Sequence, residues 1–237
     1  MRKLTTSVVD SPTWNEGGSQ SRSFAIGTVT NSQRPCPLGS SRVKWRRSAV
    51  NDSNPTLQKV VDALNHEGLP HAVVGSMGAG PWGLRRMTQD TDIVTIATQE
   101  RVEELVALLS GDDTFVPVDE ARRVLKSGGS FNVLNLDTLQ KVDVFVSARN
   151  DAFTASRLFR RVRATVQGVD TWVATAEDII LAKLRWRLTT RSELQWRDCL
   201  TIAPMNDLDV DYLRKWADVI GVRDDLEELL EAIKPLL

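Results

Sequence analysis

Two cysteines and two histidines are all that 237 residues contain of thiol and imidazole side chains. Cys36 and Cys199 lie in segments of very different character, which excludes a disulfide framework and any zinc-ligand spacing. Cys199 sits in an apolar helical pattern and reads as a buried thiol. His66 and His71 have no partner at ligand spacing and read as ordinary surface or strand-end residues. No apolar run approaches the ~20 residues of a membrane span, and the first residues carry no apolar signal region. The expectation is a cytoplasmic protein with no membrane contact. A Gly-Lys-Ser/Thr phosphate loop is absent as well.

What remains is a chain with 41% hydrophobic residues, ample for a core, and a formal net charge of −1. That balance hides an asymmetry. Residues 1–52 hold eight lysines and arginines against three acids, leaving 22 against 28 in the remainder. The acidic remainder is not a general nucleic-acid binder. Residues 1–53 are rich in Ser, Thr, Gly, Pro and Asn and read as a disordered extension, for which an over-extended start is one account. Trp14, Trp45 and the run Lys44-Trp45-Arg46-Arg47 are its exceptions, with nucleic acid or membrane as a minority reading against a segment without fold.

Order is expected from Asn54-Pro55, a cap followed by proline at the first helical position. A helix carrying Leu57, Val60, Val61 and Leu64 ends at Gly68. His71–Val74 is a short buried strand, and Asp90-Thr91-Asp92 opens the next, which runs to Ala97. Thr98 is expected to cap a helix bearing Val102, Leu105, Val106 and Leu109. A strand near Phe115–Val118 and a short charged stretch at Glu120–Leu125 precede Gly128-Gly129. Phe131–Leu136 and Lys141–Val146 form an antiparallel pair. A helix over Ala152–Arg163 carries Arg157, Arg160, Arg161 and Arg163, either a solvated face or a surface for an anionic substrate. One or two short strands follow to Val173. From Thr175, paired with Asp178 as a capping box, the remainder is helical.

The chemistry concentrates between Val73 and Val94. Asp90 and Asp92 are two apart, so on a strand they share a face. Two carboxylates on one face repel unless a cation separates them, and hard oxygen ligands suit Mg²⁺. The glycines ahead of them allow close backbone approach to a phosphate. Asp143, in the middle of an apolar strand, is either a surface residue or a third ligand or general base. Lys183 shares a helical side with Ile179, Ile180 and Leu184, so it either snorkels or is aimed at a partner. Gly78-x-Gly80-x-x-Gly83 spells a dinucleotide fingerprint. It lacks the amphipathic helix directly after the turn, and its acids come at the start of the next strand rather than the end.

Gly75-Ser76, thirteen residues, then Asp90-Thr91-Asp92-Ile93 resembles the signature of the polymerase-beta-type nucleotidyltransferase superfamily. The Arg86-x-Thr88-x-Asp90-x-Asp92 spelling is similar to the AbiEii-like branch, known as toxins of toxin–antitoxin pairs. Thr91 departs from the hydrophobic residue usual there, and the Met77–Gly83 turn is unusually rich in glycine. The resemblance implies an α+β fold: a small mixed sheet flanked by helices over 54–174, then an all-helical part over 175–237. It implies Asp90, Asp92 and Asp143 as metal ligands: Asp90 and Asp92 would hold Mg²⁺, and Asp143 would bind a second metal ion or take the proton of the acceptor hydroxyl. Gly75, Ser76, Arg86 and Thr88 would hold the NTP, Lys183 would offset triphosphate charge, and Asp198 would orient Lys183 or the base. The expected reaction moves an NMP from an NTP to an acceptor hydroxyl, on tRNA, protein or a small molecule, with a cognate antitoxin as a partner. The alternative is an inactive nucleotide- or partner-binding module of the same fold.

Overall fold

The computed structural model describes residues 53–236 except Met87 and Gln89. The expectations for the amino-terminal extension, including Trp14, Trp45 and Lys44–Arg47, lie outside the described residues. Helix α1 (Pro55–His66) starts where the sequence places it. The Asn54 side chain accepts from the Leu57 N–H, and Pro55 takes the first position. Its apolar stripe, Leu57, Val60, Val61 and Leu64, is buried. Gly68, at φ +65°, turns the chain into β1 (His71–Val74).

Beyond β1 the chain makes a single helical turn, α2 (Gly75–Gly78), and a 3₁₀ turn at Gly80–Trp82, where an irregular glycine turn was expected. Strand β2 (Asp90–Ile96) follows. Helix α3 (Val102–Leu109) carries the anticipated apolar face, but Thr98 does not cap it. The Thr98 hydroxyl bonds instead with the backbone of Glu100, and Arg101 occupies the cap in a left-handed conformation. Strand β3 (Thr114–Phe115) is shorter than expected because Pro117 starts α4 (Val118–Ser127). This helix went unread as a charged stretch. Its buried positions, Ala121, Val124 and Leu125, fall at helical spacing among five charged residues.

Strands β4 (Gly129–Asn135) and β5 (Lys141–Ser147) form the expected antiparallel pair. Helix α5 (Ala152–Arg160) stops short of Arg163, because Val162 opens β6 (Val162–Val166). A turn at Gln167-Gly168 returns the chain as β7 (Val169–Val173). The remainder is helical: α6 (Ala176–Thr190), α7 (Glu193–Ile202), α8 (Val210–Ile220) and α9 (Arg223–Ile233), with short 3₁₀ turns after α7 and α9.

The seven strands form one mixed sheet in the order β3-β4-β5-β2-β1-β7-β6. Only β2·β5 and β1·β7 run parallel; the other neighbours are antiparallel. One face packs under α1, α3 and α4, where Val73, Ile93, Val142, Val144 and Val173 join the helical stripes in a continuous core. A second core gathers the carboxyl-terminal helices around Ile180, Leu181, Leu184, Ile202 and Leu213. The fold class expected from the sequence, a mixed sheet flanked by helices and followed by a helical part, is the one observed.

Candidate active site

The parallel β2·β5 pairing sets Asp90 against Lys141 and Asp92 against Asp143. Strand periodicity then puts all four side chains on one face, two rungs deep. The opposite face of β5, Val142, Val144 and Val146, is buried in the core, which fixes the register and turns Asp143 outward from it. Val74 pairs with Asp92 on the other side, so Gly75 leaves β1 beside the carboxylate. Gly75 has φ +63°, and a methyl group added there would lie 2.0 Å from Asp92 Oδ2. Backbone and carboxylate meet there with no space for a side chain.

Gly78 and Gly83 serve close packing rather than the carboxylates, and Gly80 has open space around it. A Cβ on Gly83 (φ +97°) would lie 2.5 Å from Met205 Sδ. The Trp82 ring N–H donates to the Ala174 carbonyl at 2.8 Å, and the Asn206 amide donates to the Trp82 carbonyl at 3.0 Å. The glycine-rich stretch is thus seated against the helical part of the chain, and only Gly75 adjoins the acids.

Lys141, to which sequence reasoning gave no role, bridges the acids. Its ammonium is 3.1 Å from Asp143 and 3.5 Å from Asp90. Its place on the same face as Asp143, two residues earlier, was the available signal. Burial lowers the Lys141 pKa, and Asp143 and Asp90 together more than reverse that. Asp92 has no hydrogen bond or ion pair among the described residues. Burial, then the neighbouring Asp143 and Asp90, push its carboxyl up to about 7, while Lys141 and Lys183 pull the other way without offsetting them. Asp143 is raised by burial, opposed by Lys141.

Lys183 does not snorkel. It is 4% exposed and donates to Asp198 at 2.6 Å and to Gln195 at 3.1 Å; Asp198 is 3% exposed. The Arg86 guanidinium donates to the Ser76 hydroxyl and lies 3.9 Å from Asp198. A polar chain therefore runs from Ser76 through Arg86 and Asp198 to Lys183, joining α2, the segment that leads into β2, α7 and α6. The Thr88 hydroxyl turns to the Asp90 carbonyl, 3.4 Å away, rather than to that chain. Cys199 is a buried thiol as expected, pushed up to about 12 by desolvation. His71 is a strand-end residue, but a buried one.

Among the described residues no three His, Cys, Asp or Glu side chains are gathered as a ready-made metal-ligand set. The donor chemistry nevertheless fits a hard divalent cation. Three carboxylates share one face, one of them makes no ion pair among the described residues, and a lysine ammonium already occupies the gap between the other two. The four arginines of the α5–β6 region divide. Arg157 is half-buried, with its pKa lowered by desolvation, and Arg160 pairs with Glu177 and Asp209. Arg161 and Arg163 lie over the Trp172 ring. The cluster is neither a uniform solvated face nor part of the carboxylate site.

Fold and site together define a mixed α+β protein with a carboxylate face at the mouth of a glycine turn. Solved structures similar to it include an antigenic nucleotidyltransferase-like protein from Paracoccidioides brasiliensis, at 16% identity and TM-score 0.45, covering 78% of this chain and 94% of that one. The antibiotic-resistance factor ANT(2'')-Ia is similar at 15% identity and TM-score 0.43, covering 76% and 93%. A crystal structure of ANT(2'')-Ia with adenylyl-2''-tobramycin gives 16% and 0.42 over 67% and 92%. No family model matches the chain, and no curated protein does. At these identities and TM-scores the likenesses bear no functional weight, which leaves the chemistry to the residues themselves.

Proposed function

We propose that the chain is a metal-dependent nucleotidyltransferase that moves an NMP from an NTP to an acceptor hydroxyl. One observation carries the reading: Asp92 faces Asp143 across parallel strands while the Gly75 backbone closes directly on Asp92. An uncompensated carboxylate held beside a second one, at the exit of a left-handed glycine, is costly as architecture and useful as a cation and phosphate site. Asp90, Asp92 and Asp143 would hold Mg²⁺, which supplies charge neutralisation and polarisation of a phosphoryl group.

The chain's own groups divide the remaining work. Gly75 offers backbone approach, and the Ser76 hydroxyl, already receiving a bond from Arg86, orients the turn toward β- and γ-phosphate oxygens. Thr88 lies next to the strand that carries the acids. Arg86 brings a guanidinium suited to phosphate oxygens. Lys183 supplies positive charge from behind the site through its pair with Asp198, favouring the pyrophosphate leaving group. Asp143 accepts the proton of the acceptor hydroxyl; burial raises its pKa above the usual carboxylate value, which strengthens it as a base. Residues 54–174 form the nucleotide-handling core, and 175–237 shape the acceptor side.

The test is incubation of the purified chain with each labelled NTP, Mg²⁺ and a cell extract. Label should move to an acceptor with the wild type and not with Asp90→Ala; no transfer, or equal transfer by both, overturns the reading. The AbiEii-like spelling around Arg86 and Thr88 extends it to a cytoplasmic toxin acting on tRNA or protein and held by an antitoxin. Growth arrest on expression, relieved by a neighbouring small reading frame, checks that extension.

A further inference from the structure

Two rungs of the β2·β5 ladder place four charged side chains at the corners of one patch: Asp90 opposite Lys141, and Asp92 opposite Asp143. Lys141 spans a diagonal, within 3.1 Å of Asp143 and 3.5 Å of Asp90. A lysine ammonium is a compact point charge with three donors, and here it lies between two carboxylates as a bridging cation would. The remaining corner, Asp92, receives neither a hydrogen bond nor an ion pair among the described residues. It is also the corner against which Gly75 closes.

We propose that Lys141 is a built-in counter-cation that occupies the bridging place between Asp90 Oδ2 and Asp143 Oδ2, so that the site takes a single divalent cation, held by Asp92 together with the carboxylate oxygens of Asp90 and Asp143 that Lys141 leaves free. The inference rests on the nucleotidyltransferase reading and deepens it by counting the metal. A divalent ion and an ammonium cannot share the same pair of oxygens. Mg²⁺ needs its ligands at about 2.0–2.1 Å in near-octahedral order, and the repulsion between the two cations at such range is severe. Seating a second divalent ion would require expelling Lys141 from both carboxylates. A single ion at Asp92 requires no such displacement. With Lys141 it brings three positive charges to three carboxylates, so the patch is balanced before any nucleotide arrives. Lys141 then acts as a positioning residue: it holds Asp90 and Asp143 at fixed separation and leaves Asp92 as the open ligand.

The experiment counts Mn²⁺ bound to the full chain by electron paramagnetic resonance of the free ion, with a non-hydrolysable triphosphate analogue and the analogue alone as blank. A single Mn²⁺ is expected for the wild type and for Lys141→Arg, which keeps the charge. Lys141→Met should gain a second Mn²⁺, as should Lys141→Gln, used if the methionine variant does not fold. Two ions on the wild type, or a single ion on a folded Lys141→Met or Lys141→Gln protein, overturns the inference and leaves the nucleotidyltransferase reading standing. No ion on the wild type or on the neutral variants overturns both.

Discussion

Two aspartates in this molecule, one buried and one half-buried, sit in opposite circumstances. Asp178, at the start of α6, is fully buried and fully served: the Tyr212 hydroxyl donates to it at 2.6 Å and the Thr175 hydroxyl at 3.0 Å. Burial still raises its pKa, against both hydroxyls and against Arg157 and Arg160. Asp92 is half-buried, has no such partners among the described residues, and faces Asp143 and Asp90 instead. The first arrangement knits α5, α6 and α8 together, through Tyr212 to Ser156 and through Arg160 over the Tyr212 ring. The second does nothing for the fold. An acid that is buried and satisfied is structural; an acid that is half-buried, unsatisfied and crowded by its own kind is kept for something that binds there.

Substitutions at the two positions should therefore move stability and activity in opposite ways. Asp92→Asn removes a charge that the fold only tolerates. Nucleotidyl transfer should fall by about 10³-fold or more, the scale of losing a group that organises the reacting phosphates. Stability at neutral pH without metal should rise, by about 1–2 kcal/mol after discounting for solvent screening. Thermal melting with chelator and the labelled-NTP assay check the two halves separately. A variant that loses both would make Asp92 a structural residue like Asp178.

The converse applies where charges are paired. Lys183→Met leaves Asp198 buried without its main partner, and one-sided loss of a buried pair costs about 3–5 kcal/mol. The double variant Lys183→Met/Asp198→Leu should recover most of that in urea unfolding, since an apolar pair can replace a buried ionic one. Activity should stay lost, because the positive charge behind the site is gone. Asp178→Ala is expected to lower stability by about 2–3 kcal/mol, by stranding the Tyr212 and Thr175 hydroxyls. Its residual activity per folded molecule should remain near wild type. Recovery of activity in the Lys183/Asp198 double variant would move that pair to the structural side of the comparison.

The contrast also explains what could be read in advance. The shared face of Asp90 and Asp92 and the outward turn of Asp143 were legible because strand periodicity fixes faces; the stripe that carries Lys183 left a snorkelling and a partnered lysine open, and its partner Asp198 was signalled only by the family resemblance. The cap at Asn54 and the stop at Gly68 were legible for local reasons, a side chain that accepts a backbone N–H and a residue at φ +65°. Helix α4 was hidden by its charges, because its three buried positions count only once α3 and β4 are there to cover them. Lys141 was hidden differently: its role depends on the cross-strand register with Asp90, and register is tertiary information. The glycine turn misled because one glycine serves the site while Gly83 serves a methionine more than a hundred residues later.

Smaller effects sharpen the same division. Gly75→Ala places a methyl group onto Asp92 Oδ2 in a left-handed backbone. It should cost about 1–2 kcal/mol and misplace the carboxylate, lowering activity more than stability. The smallest expected effect comes from the far end of β1. His71 is buried, with its Nδ1 bonded to the Leu69 carbonyl and no partner for Nε2. Desolvation lowers its pKa below 6.5, with Arg161 and Arg163 adding to that against the Leu69 bond. Because the folded-state value is the lower one, its contribution to stability is complete above the unfolded value of 6.5 and is lost as pH falls through the folded value. Urea unfolding of the wild type should therefore weaken below pH 6.5, and His71→Gln, which cannot take up the proton, should flatten that limb. An unchanged slope would mean that the acid sensitivity belongs to other groups, with the carboxylate face the first to examine.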